Sequence, residues 1–300
     1  MGARPSDPPP ASTDRPAVKL HCAGRILDLA EPVVMGVLNV TPNSFSDGGR
    51  YTNIDAAVSQ GLAMQAAGAA ILDVGGESTR PGADPVPVQV ELDRVIPVIE
   101  RLRRETDAVI SIDTMKAEVM HAAVAAGAGL VNDVMGLQAE GALEAVARTD
   151  AAVCLMHMQG EPRTMQQSPQ YRDVVAEVAA FLAVRVQACL DVGIAPERLC
   201  IDPGFGFGKS LDHNLELLGG LPVLTACRYP VLVGLSRKSM LAALLGRAVD
   251  ERLAGSLALA TAAVLGGARI VRAHDVRETS DAVRVAAAIA SKLGKKDHNA

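Results

Sequence analysis

Eight short apolar runs alternate with longer alanine-rich segments between residues 33 and 275, and this alternation constrains the fold more than any other feature of the sequence. The runs lie at 33–40, 70–76, 109–114, 130–134, 152–158, 199–206, 231–236 and 269–275. Continuous apolar runs of this length are typical of strands that are buried on both faces, as in parallel sheets. Segments such as 55–69, 173–193 and 253–268 are rich in Ala, Leu and Val and end near glycine, which predicts helices.

An alternation of strands and helices indicates an α/β fold, and eight repeats predict a single closed (β/α)8 TIM barrel. An open doubly wound sheet is the alternative, but its glycine-rich first turn, G-x-G-x-x-G, is missing here. Residues 18–29 alternate apolar and polar positions around Ala23-Gly24 and predict a short N-terminal β-hairpin. Residues 1–16 are rich in proline and predict a disordered N-terminal tail, which leaves 17–295 as one barrel domain.

The composition restricts the cellular compartment in which the protein is expected and the kinds of partner it is expected to bind. Of the 300 residues, 49% are hydrophobic, but only four are Phe and none is Trp, so the core is expected to be aliphatic. The net charge of -5 comes without a basic stripe, which argues against nucleic acid as a partner. No apolar run approaches the ~20 residues of a membrane span, so no membrane association is expected. Five cysteines without a C-x-x-C pair indicate free thiols and a cytoplasmic location.

Every predicted strand ends in polar or charged residues, and the carboxyl ends of barrel strands form the functional face. The residues at these ends are Asn39, Asp73, Asp113, Asn132, His157, Asp202, Ser236, Lys238, Arg272 and His274. Any single one of them could simply cap the following helix, as Asp113 before Thr114 could. Acids, amides and bases at all eight ends are costly to bury unless they pair or bind a ligand. The sequence therefore predicts a binding site at this end of the barrel.

The polar residues divide into two chemical sets. Amide and carboxylate groups suit a flat heterocycle with N–H donors and ring acceptors. This first set contains Asn39, Asp73, Asp113, Asn132 and Asp202. Positive charge suits a phosphate or diphosphate group, and the second set contains Arg80, Lys238, Arg272 and His274. Together the sets predict a substrate with a polar heterocycle at one end and a phosphate at the other.

Three further features look functional but have simpler interpretations. The run GFGFGKS (204–210) resembles a phosphate-binding loop, but Pro203 stands where that motif requires glycine. His157 has no partner at metal-ligand spacing and is more simply a hydrogen-bonded core histidine. Glu77 could act as a general base, but we favour a role as an anchor of the Gly75-Gly76 turn.

The positions of the phenylalanines are more informative. Three of the four, Phe45, Phe205 and Phe207, fall in loops at the predicted functional end. Phenylalanine usually belongs to the core, but here the core is aliphatic and these rings lie near polar groups. Stacking of these rings on a flat ligand is the resulting hypothesis.

Eight segments at the strand ends also form a recognisable set. They are MGVLNVTPNSFSDGG (35–49), LDVGGESTRPGA (72–83), SIDT (111–114), NDV (132–134), MHMQGEP (156–162), DPGFGFGK (202–209), GLSRKS (234–239) and RAHDV (272–276). In this order, from about Val33 to Ile289, the chain resembles the dihydropteroate synthase family of bacterial folate biosynthesis. The first two segments and the SRK segment are highly specific to that family.

The resemblance implies a homodimeric (β/α)8 barrel that joins 4-aminobenzoate to 6-hydroxymethyl-7,8-dihydropterin diphosphate and releases pyrophosphate. By position it assigns the pterin to Asp73, Asp113, Asn132, Met156, Asp202, Phe207, Lys238 and Arg272. It assigns the diphosphate to Asn39, Arg80, Arg272 and His274, with Mg2+ as a cofactor held through Asn39. It assigns 4-aminobenzoate to Phe45, Thr79, Arg80, Pro81, Phe207, Ser236 and Lys238. The residues implied to act in catalysis are Phe45, Asp47, Arg80, Lys238 and Arg272.

The resemblance further implies an SN1-like cleavage of the C–O bond beneath a lid formed by the residues after Asn39. Sulfonamides, which mimic 4-aminobenzoate, are expected to compete with it. Two alternatives stay open. A methyltetrahydrofolate-dependent methyltransferase of the same barrel group would not need Arg80 or the SRK segment. A catalytically silent paralogue would bind pterin without turnover, although no residue of the family pattern is lost.

Overall fold

A computed structural model of the chain describes residues 18–41, 50–78, 84–161 and 164–293, with side chains in the second range described from residue 54. The chain begins with an antiparallel hairpin whose strands are β1 (Lys19–Cys22) and β2 (Arg25–Asp28). The turn between them contains Ala23 and Gly24, both with positive φ angles of 48° and 81°. The predicted hairpin is confirmed. The predicted tail at 1–16 lies outside the described residues, and the domain limits 17–295 stay a prediction.

Eight parallel strands follow the hairpin and form the predicted barrel. They are β3 (Val33–Asn39), β4 (Ala69–Gly75), β5 (Val109–Asp113), β6 (Leu130–Asp133), β7 (Ala152–Met156), β8 (Leu199–Asp202), β9 (Leu232–Gly234) and β10 (Ile270–Ala273). Sequential neighbours pair from β3 to β8, and β10 lies between β3 and β9. The circle closes where Ile201 of β8 forms a parallel bridge with Val231, next to β9. A single (β/α)8 barrel is therefore confirmed, and the open doubly wound sheet is excluded.

Helices connect the strands on the outside. They are α1 (Arg50–Ala66), α2 (Val88–Glu105), α3 (Ala117–Ala126), α4 (Ala142–Ala147), α5 (Val174–Asp191), α6 (Leu211–Gly219), α7 (Leu221–Thr225), α8 (Ser239–Leu245), α9 (Leu253–Leu265) and α10 (Val276–Leu293). Their ends follow local chemistry: the Asp173 carboxylate caps α5 by accepting from the Ala176 N–H at 2.9 Å, and Gly127 ends α3 with φ of 118°. None of the helices in the described ranges has the length and apolarity needed to cross a bilayer.

Two apolar layers hold the barrel together. Outward-facing strand residues pack against the helices, as in α2, where Val95, Val98, Ile99 and Leu102 are fully buried at helical spacing. Inside the barrel, a second layer contains residues contributed by all eight strands, such as Met35 and Ile71. Leu20, Cys22 and Leu29 from the hairpin segment pack onto that inner layer. The hairpin therefore covers the amino end of the barrel, and the polar residues are left for the carboxyl end.

Candidate active site

The carboxyl ends of neighbouring strands bring the predicted polar residues together. Asp73, Asp113, Asn132 and Asp202 lie at or near the ends of β4, β5, β6 and β8, and all four side chains are buried. Parallel register aligns Asp113 with Asn132, and Met156 of β7 with Asp202. The site follows directly from the strand ends because parallel strands in a barrel point their carboxyl ends to one side.

Arg272 of β10 lies at the centre of this set. Its Nε donates to Asp73 Oδ2 at 2.6 Å, and its Nη2 donates to Asp113 Oδ2 at 2.7 Å. Asp73 also accepts from Ser111 Oγ at 2.6 Å and from Asn132 Nδ2 at 3.1 Å. The Asp73 carboxylate is thus fully engaged by the protein and is oriented rather than open.

Asp113 differs from Asp73 because one of its oxygens faces no protein donor. Among the described residues, Asp113 Oδ1 is buried without a hydrogen-bond partner. Burial raises the pKa of Asp113 to about 7, although the nearby Arg272 guanidinium acts to lower it. An unpartnered buried carboxyl oxygen is costly unless a ligand supplies the donor. The geometry therefore provides an acceptor for an N–H group of a ligand.

Asp202 and Arg272 carry the other strong electrostatic effects. Burial also raises the pKa of Asp202 to about 6, while the Gly204 N–H and the Lys238 ammonium act in the opposite direction. Burial alone would lower the pKa of Arg272, but the Asp73 and Asp113 carboxylates outweigh it and the pKa is raised. The site therefore combines a permanent cation with two carboxyl groups that titrate near neutral pH.

A cavity opens over these groups. Its polar lining consists of Asp113, Asn132, Asp202, Lys238 and Arg272, and its apolar lining includes Val134, Met156, Phe205 and Phe207. The Lys238 ammonium lies 4.2 Å from the centre of the Phe207 ring. One cavity thus contains most of the residues assigned to the pterin.

Ser236 and His274, which the sequence assigned to different substrates, contact each other. Ser236 Oγ accepts from the His274 N–H at 3.2 Å and lies 3.1 Å from His274 Nδ1. The neighbouring Arg237 adopts a positive φ of 58° and forms an ion pair with Asp275. The loops after β9 and β10 are therefore joined, so Lys238, Arg272 and His274 share one edge of the site, the cationic edge, to which Lys238 and Arg272 contribute the positive charge.

Asn39 ends β3 beside Gly75, at the same end of the barrel. In the described part of the chain, no three His, Cys, Asp or Glu side chains are grouped so that they could hold a metal ion. Magnesium usually takes one or two protein oxygens and completes its coordination with phosphate oxygens and water. A single amide oxygen at the mouth of the barrel therefore fits magnesium that arrives with a phosphorylated ligand.

Five of the assigned residues lie outside the described ranges: Phe45, Asp47, Thr79, Arg80 and Pro81. Glu77, which precedes this second loop, accepts from the Val86 N–H at 3.1 Å and pairs with Lys116, which also pairs with the buried Glu91. Glu77 therefore has the structural role that was favoured over a general base, but its partners are Val86 and Lys116, whereas the carbonyl of Gly76 in the turn accepts from Arg94 Nη1 at 2.7 Å.

His157 and Phe205 illustrate how the structure sorts the remaining candidates. The His157 ring is buried, accepts from Lys209 Nζ at 2.9 Å and meets the Phe181 ring edge-on at 4.9 Å. It is the core histidine that the sequence suggested.

Phe205 is only 1% exposed and belongs to the hydrophobic core, so its expected role as a free stacking ring is corrected to that of a cavity wall. Sequence reasoning missed Ser111 and Lys209.

A parallel barrel whose carboxyl end carries an acid–amide–cation cavity defines a TIM-barrel enzyme for a small polar heterocycle. The sequence matches the family of pterin-binding enzymes over residues 35–274. It is 52% identical over 279 residues to dihydropteroate synthase of Escherichia coli strain K12, and the alignment covers 93% of this chain and 99% of that protein. The chain belongs to the dihydropteroate synthase family.

Solved structures of such enzymes superpose closely on this chain. The Xanthomonas albilineans dihydropteroate synthase with 4-aminobenzoic acid is 53% identical, with a TM-score of 0.86 over 91% of this chain and 98% of that chain. The Burkholderia cenocepacia enzyme complexed with 7,8-dihydropteroate is 48% identical, with a TM-score of 0.84 over 93% and 98%. The Yersinia pestis enzyme, solved with a sulfonamide drug, is 49% identical, with a TM-score of 0.86 over 91% and 99%.

Proposed function

We propose that the chain condenses 6-hydroxymethyl-7,8-dihydropterin diphosphate with 4-aminobenzoate to give 7,8-dihydropteroate and pyrophosphate. The observation that carries this proposal is the single cavity that joins buried carboxyl and amide groups to Lys238 and Arg272. Relatives of about half-identical sequence have been solved with 4-aminobenzoic acid and with dihydropteroate. Small-molecule ligands of both kinds are therefore assigned to this cavity.

The inner part of the cavity suits the pterin. Carboxylates accept pairs of N–H donors, and Asp113 Oδ1, which has no partner among the described residues, can accept from such a donor. Asn132 is the register partner of Asp113 on the next strand, and Asp202 lines the same cavity. The Arg272 guanidinium, held by two carboxylates, offers a flat face on which a ring can stack.

The cationic edge suits the diphosphate. Arg272 and His274 of the last strand and loop would stabilise negative charge that develops on the leaving group. Asn39 would hold the magnesium ion, which when bound supplies further charge neutralisation to the diphosphate. Lys238 of this edge packs over the Phe207 ring, so we place the carboxylate of 4-aminobenzoate against Lys238 and Ser236.

We propose that the bond between the pterin methylene and the diphosphate breaks before the amine attacks. The dihydropterin ring can delocalise positive charge at that carbon, and nearby carboxylates favour a cation. Such a cation must be shielded from water, because hydrolysis would compete with attack by the amine. Val134, Met156 and Phe207 provide an apolar wall for this purpose. A neutral aromatic amine attacks without a strong general base, and the acidic proton of the alkylated amine passes to the released pyrophosphate or to water, so no residue is assigned as a base.

Assembly and compartment are also proposals. We expect a homodimer formed through α9 and α10, which pack together and expose Leu265, Val285, Ile289 and Leu293. The five cysteines are free thiols, and four of them are buried, which suits the reducing cytoplasm.

Pyrophosphate release is the direct test of the proposed function. We expect purified protein to release one pyrophosphate per dihydropteroate when both substrates and Mg2+ are present, and to lose activity when the metal is chelated. A sulfonamide should raise the apparent KM for 4-aminobenzoate without lowering kcat. If the protein binds pterin but releases no pyrophosphate, the silent-paralogue alternative is correct.

The pH dependence of pterin binding tests the role of Asp113. Protonation of Asp113 below about pH 7 removes a carboxylate acceptor, so the affinity for 6-hydroxymethylpterin, which has no diphosphate to titrate, should fall as the pH drops through that value. The measurement is a calorimetric titration across the neutral range. In Asp113→Asn, binding should be weaker overall, and the remaining decrease should move to about pH 6, where Asp202 titrates. An affinity that rises on acidification would contradict this assignment.

A further inference from the structure

Lys209, which the sequence reading passed over together with its glycine-rich motif, is among the most deeply buried charged residues of the described chain, with 2% of its surface exposed. Its Nζ contacts Gly204 O at 2.9 Å, Phe207 O at 3.0 Å and His157 Nδ1 at 2.9 Å. Burial lowers the pKa of Lys209 to about 7, and in the protonated form its three N–H donors are all satisfied by these three acceptors. Burying an amine without acceptors is costly, so these three contacts are what allow Lys209 to be buried at this position.

His157 is suited to be the third acceptor. Burial lowers the pKa of His157 to about 3, and the Lys209 charge acts in the same direction. The imidazole is therefore neutral at physiological pH and can accept at Nδ1. Its ring is fixed in turn by the Phe181 ring, whose centre lies 4.9 Å away.

The carbonyls that Lys209 binds belong to the turn that follows β8. Gly204, Gly206 and Gly208 have φ angles of 69°, 79° and 61°, which a side chain would strain. At Gly204, a Cβ would also lie 1.9 Å from the His157 carbonyl oxygen. Glycine therefore allows the turn to wrap around the ammonium and direct two carbonyls toward it.

The turn ends at the site itself. Gly204 donates its N–H to Asp202 Oδ1 at 2.7 Å, and the Phe207 ring lies under the Lys238 ammonium. Two of the acceptors of Lys209, Gly204 O and Phe207 O, thus lie at the two ends of the segment between Asp202 and the ring that packs against Lys238, and the third belongs to His157. Lys209 itself does not line the cavity.

We infer that Lys209, seated on His157, is a positioning residue for 4-aminobenzoate: it fixes the turn at 204–207 and so sets the Phe207 ring and Lys238 at the outer part of the cavity. The inference rests on the proposed function. Loss of Lys209 frees the Phe207 end of the turn more than the Asp202 end, because Asp202 is also held in β8.

The test is Lys209→Met in the full-length protein, compared with Arg198→Met. Arg198 also donates to two backbone carbonyls, Ala151 O and Val146 O, but does so near the amino end of β8. We expect both variants to lower the Tm. Only Lys209→Met should raise the KM for 4-aminobenzoate, by roughly tenfold or more, with a much smaller change in the Kd of 6-hydroxymethylpterin. The turn keeps other ties, such as Gly206 N–H to Asn214 Oδ1 at 2.7 Å, so the variant should fold.

A double-mutant cycle with Phe207→Ala separates positioning from plain stabilisation. If Lys209 acts through the Phe207 ring, Lys209→Met should add little to the KM for 4-aminobenzoate once the ring is gone. His157→Leu, which removes one acceptor and leaves the lysine, should change that KM in the same direction by a smaller factor and serves if Lys209→Met does not fold. An unchanged KM in these variants, or full additivity in the cycle, overturns the inference. Inactivity of the wild type would instead overturn the proposed function.

Discussion

Replacing Arg272 with methionine should lower kcat/KM for the pterin diphosphate by about 10³-fold or more, because this side chain holds two carboxylates and, under the proposed function, also stabilises the leaving group. The same change leaves Asp73 and Asp113 without their cation. Breaking a buried pair in this way costs about 3–5 kcal/mol of folding free energy, and Asp113 should then stay protonated to higher pH. Steady-state pyrophosphate release and urea unfolding measure the two effects.

Arg272→Lys separates charge from geometry. A lysine restores a positive charge but cannot donate in parallel to Asp73 and Asp113 as the guanidinium does. We therefore expect this variant to recover much of the folding free energy and little of the turnover. Near-normal turnover in Arg272→Lys would mean that charge alone is needed and that stacking on the guanidinium is not.

Lys238→Ala should weaken the binding of both substrates and lower kcat/KM for each by about 10²-fold. The reason is that the ammonium lines the polar cavity and also packs over the Phe207 ring. The KM values for pterin diphosphate and for 4-aminobenzoate are the measurements. The matched control is Lys238→Met, which keeps an apolar chain beside Gly206 and Phe207 but lacks the charge.

The two Lys238 variants distinguish packing from electrostatics. Similar defects in Lys238→Ala and Lys238→Met would assign the effect to the charge, whereas a milder defect in Lys238→Met would assign part of it to contact with the ring. An unaltered KM for 4-aminobenzoate in both variants would show that Lys238 does not reach that substrate.

The strands and the composition of the site were predictable because both follow from local patterns. Residues such as Ile110 and Val131 are apolar on successive positions because each strand is covered by the inner layer and by helices. Strand ends could be read for the same reason: Asn39, Asp73 and Asp113 interrupt runs that are otherwise apolar. Some strand limits were less accurate: the strand that was expected to end at Asp73 continues to Gly75.

Partnerships between distant residues could not be read from the sequence. Arg272 and Asp73 are 199 positions apart, and only barrel closure places them in contact. Lys209 and His157 are likewise 52 positions apart. The sequence could therefore exclude a phosphate-binding loop at the glycine-rich run, but it could not show that this run supplies acceptors to a buried lysine. Ser236 and His274 form a hydrogen bond only because β9 and β10 are neighbours in the barrel. The sequence does not show this pairing, so the two residues were assigned to different ligands.

The hairpin at the amino end of the barrel has a consequence for the order in which ligands come and go. Leu20, Cys22 and Leu29 pack onto the inner layer of side chains that fills the barrel, so the cavity at the opposite rim is closed on the hairpin side. Under the proposed assignment the pterin occupies the inner part and 4-aminobenzoate the outer part. In a cavity that opens only at the rim, the ligand that occupies the inner part must enter first and leave last. The pterin diphosphate must therefore load before its partner, and a sulfonamide at the rim should slow the departure of a pterin already inside.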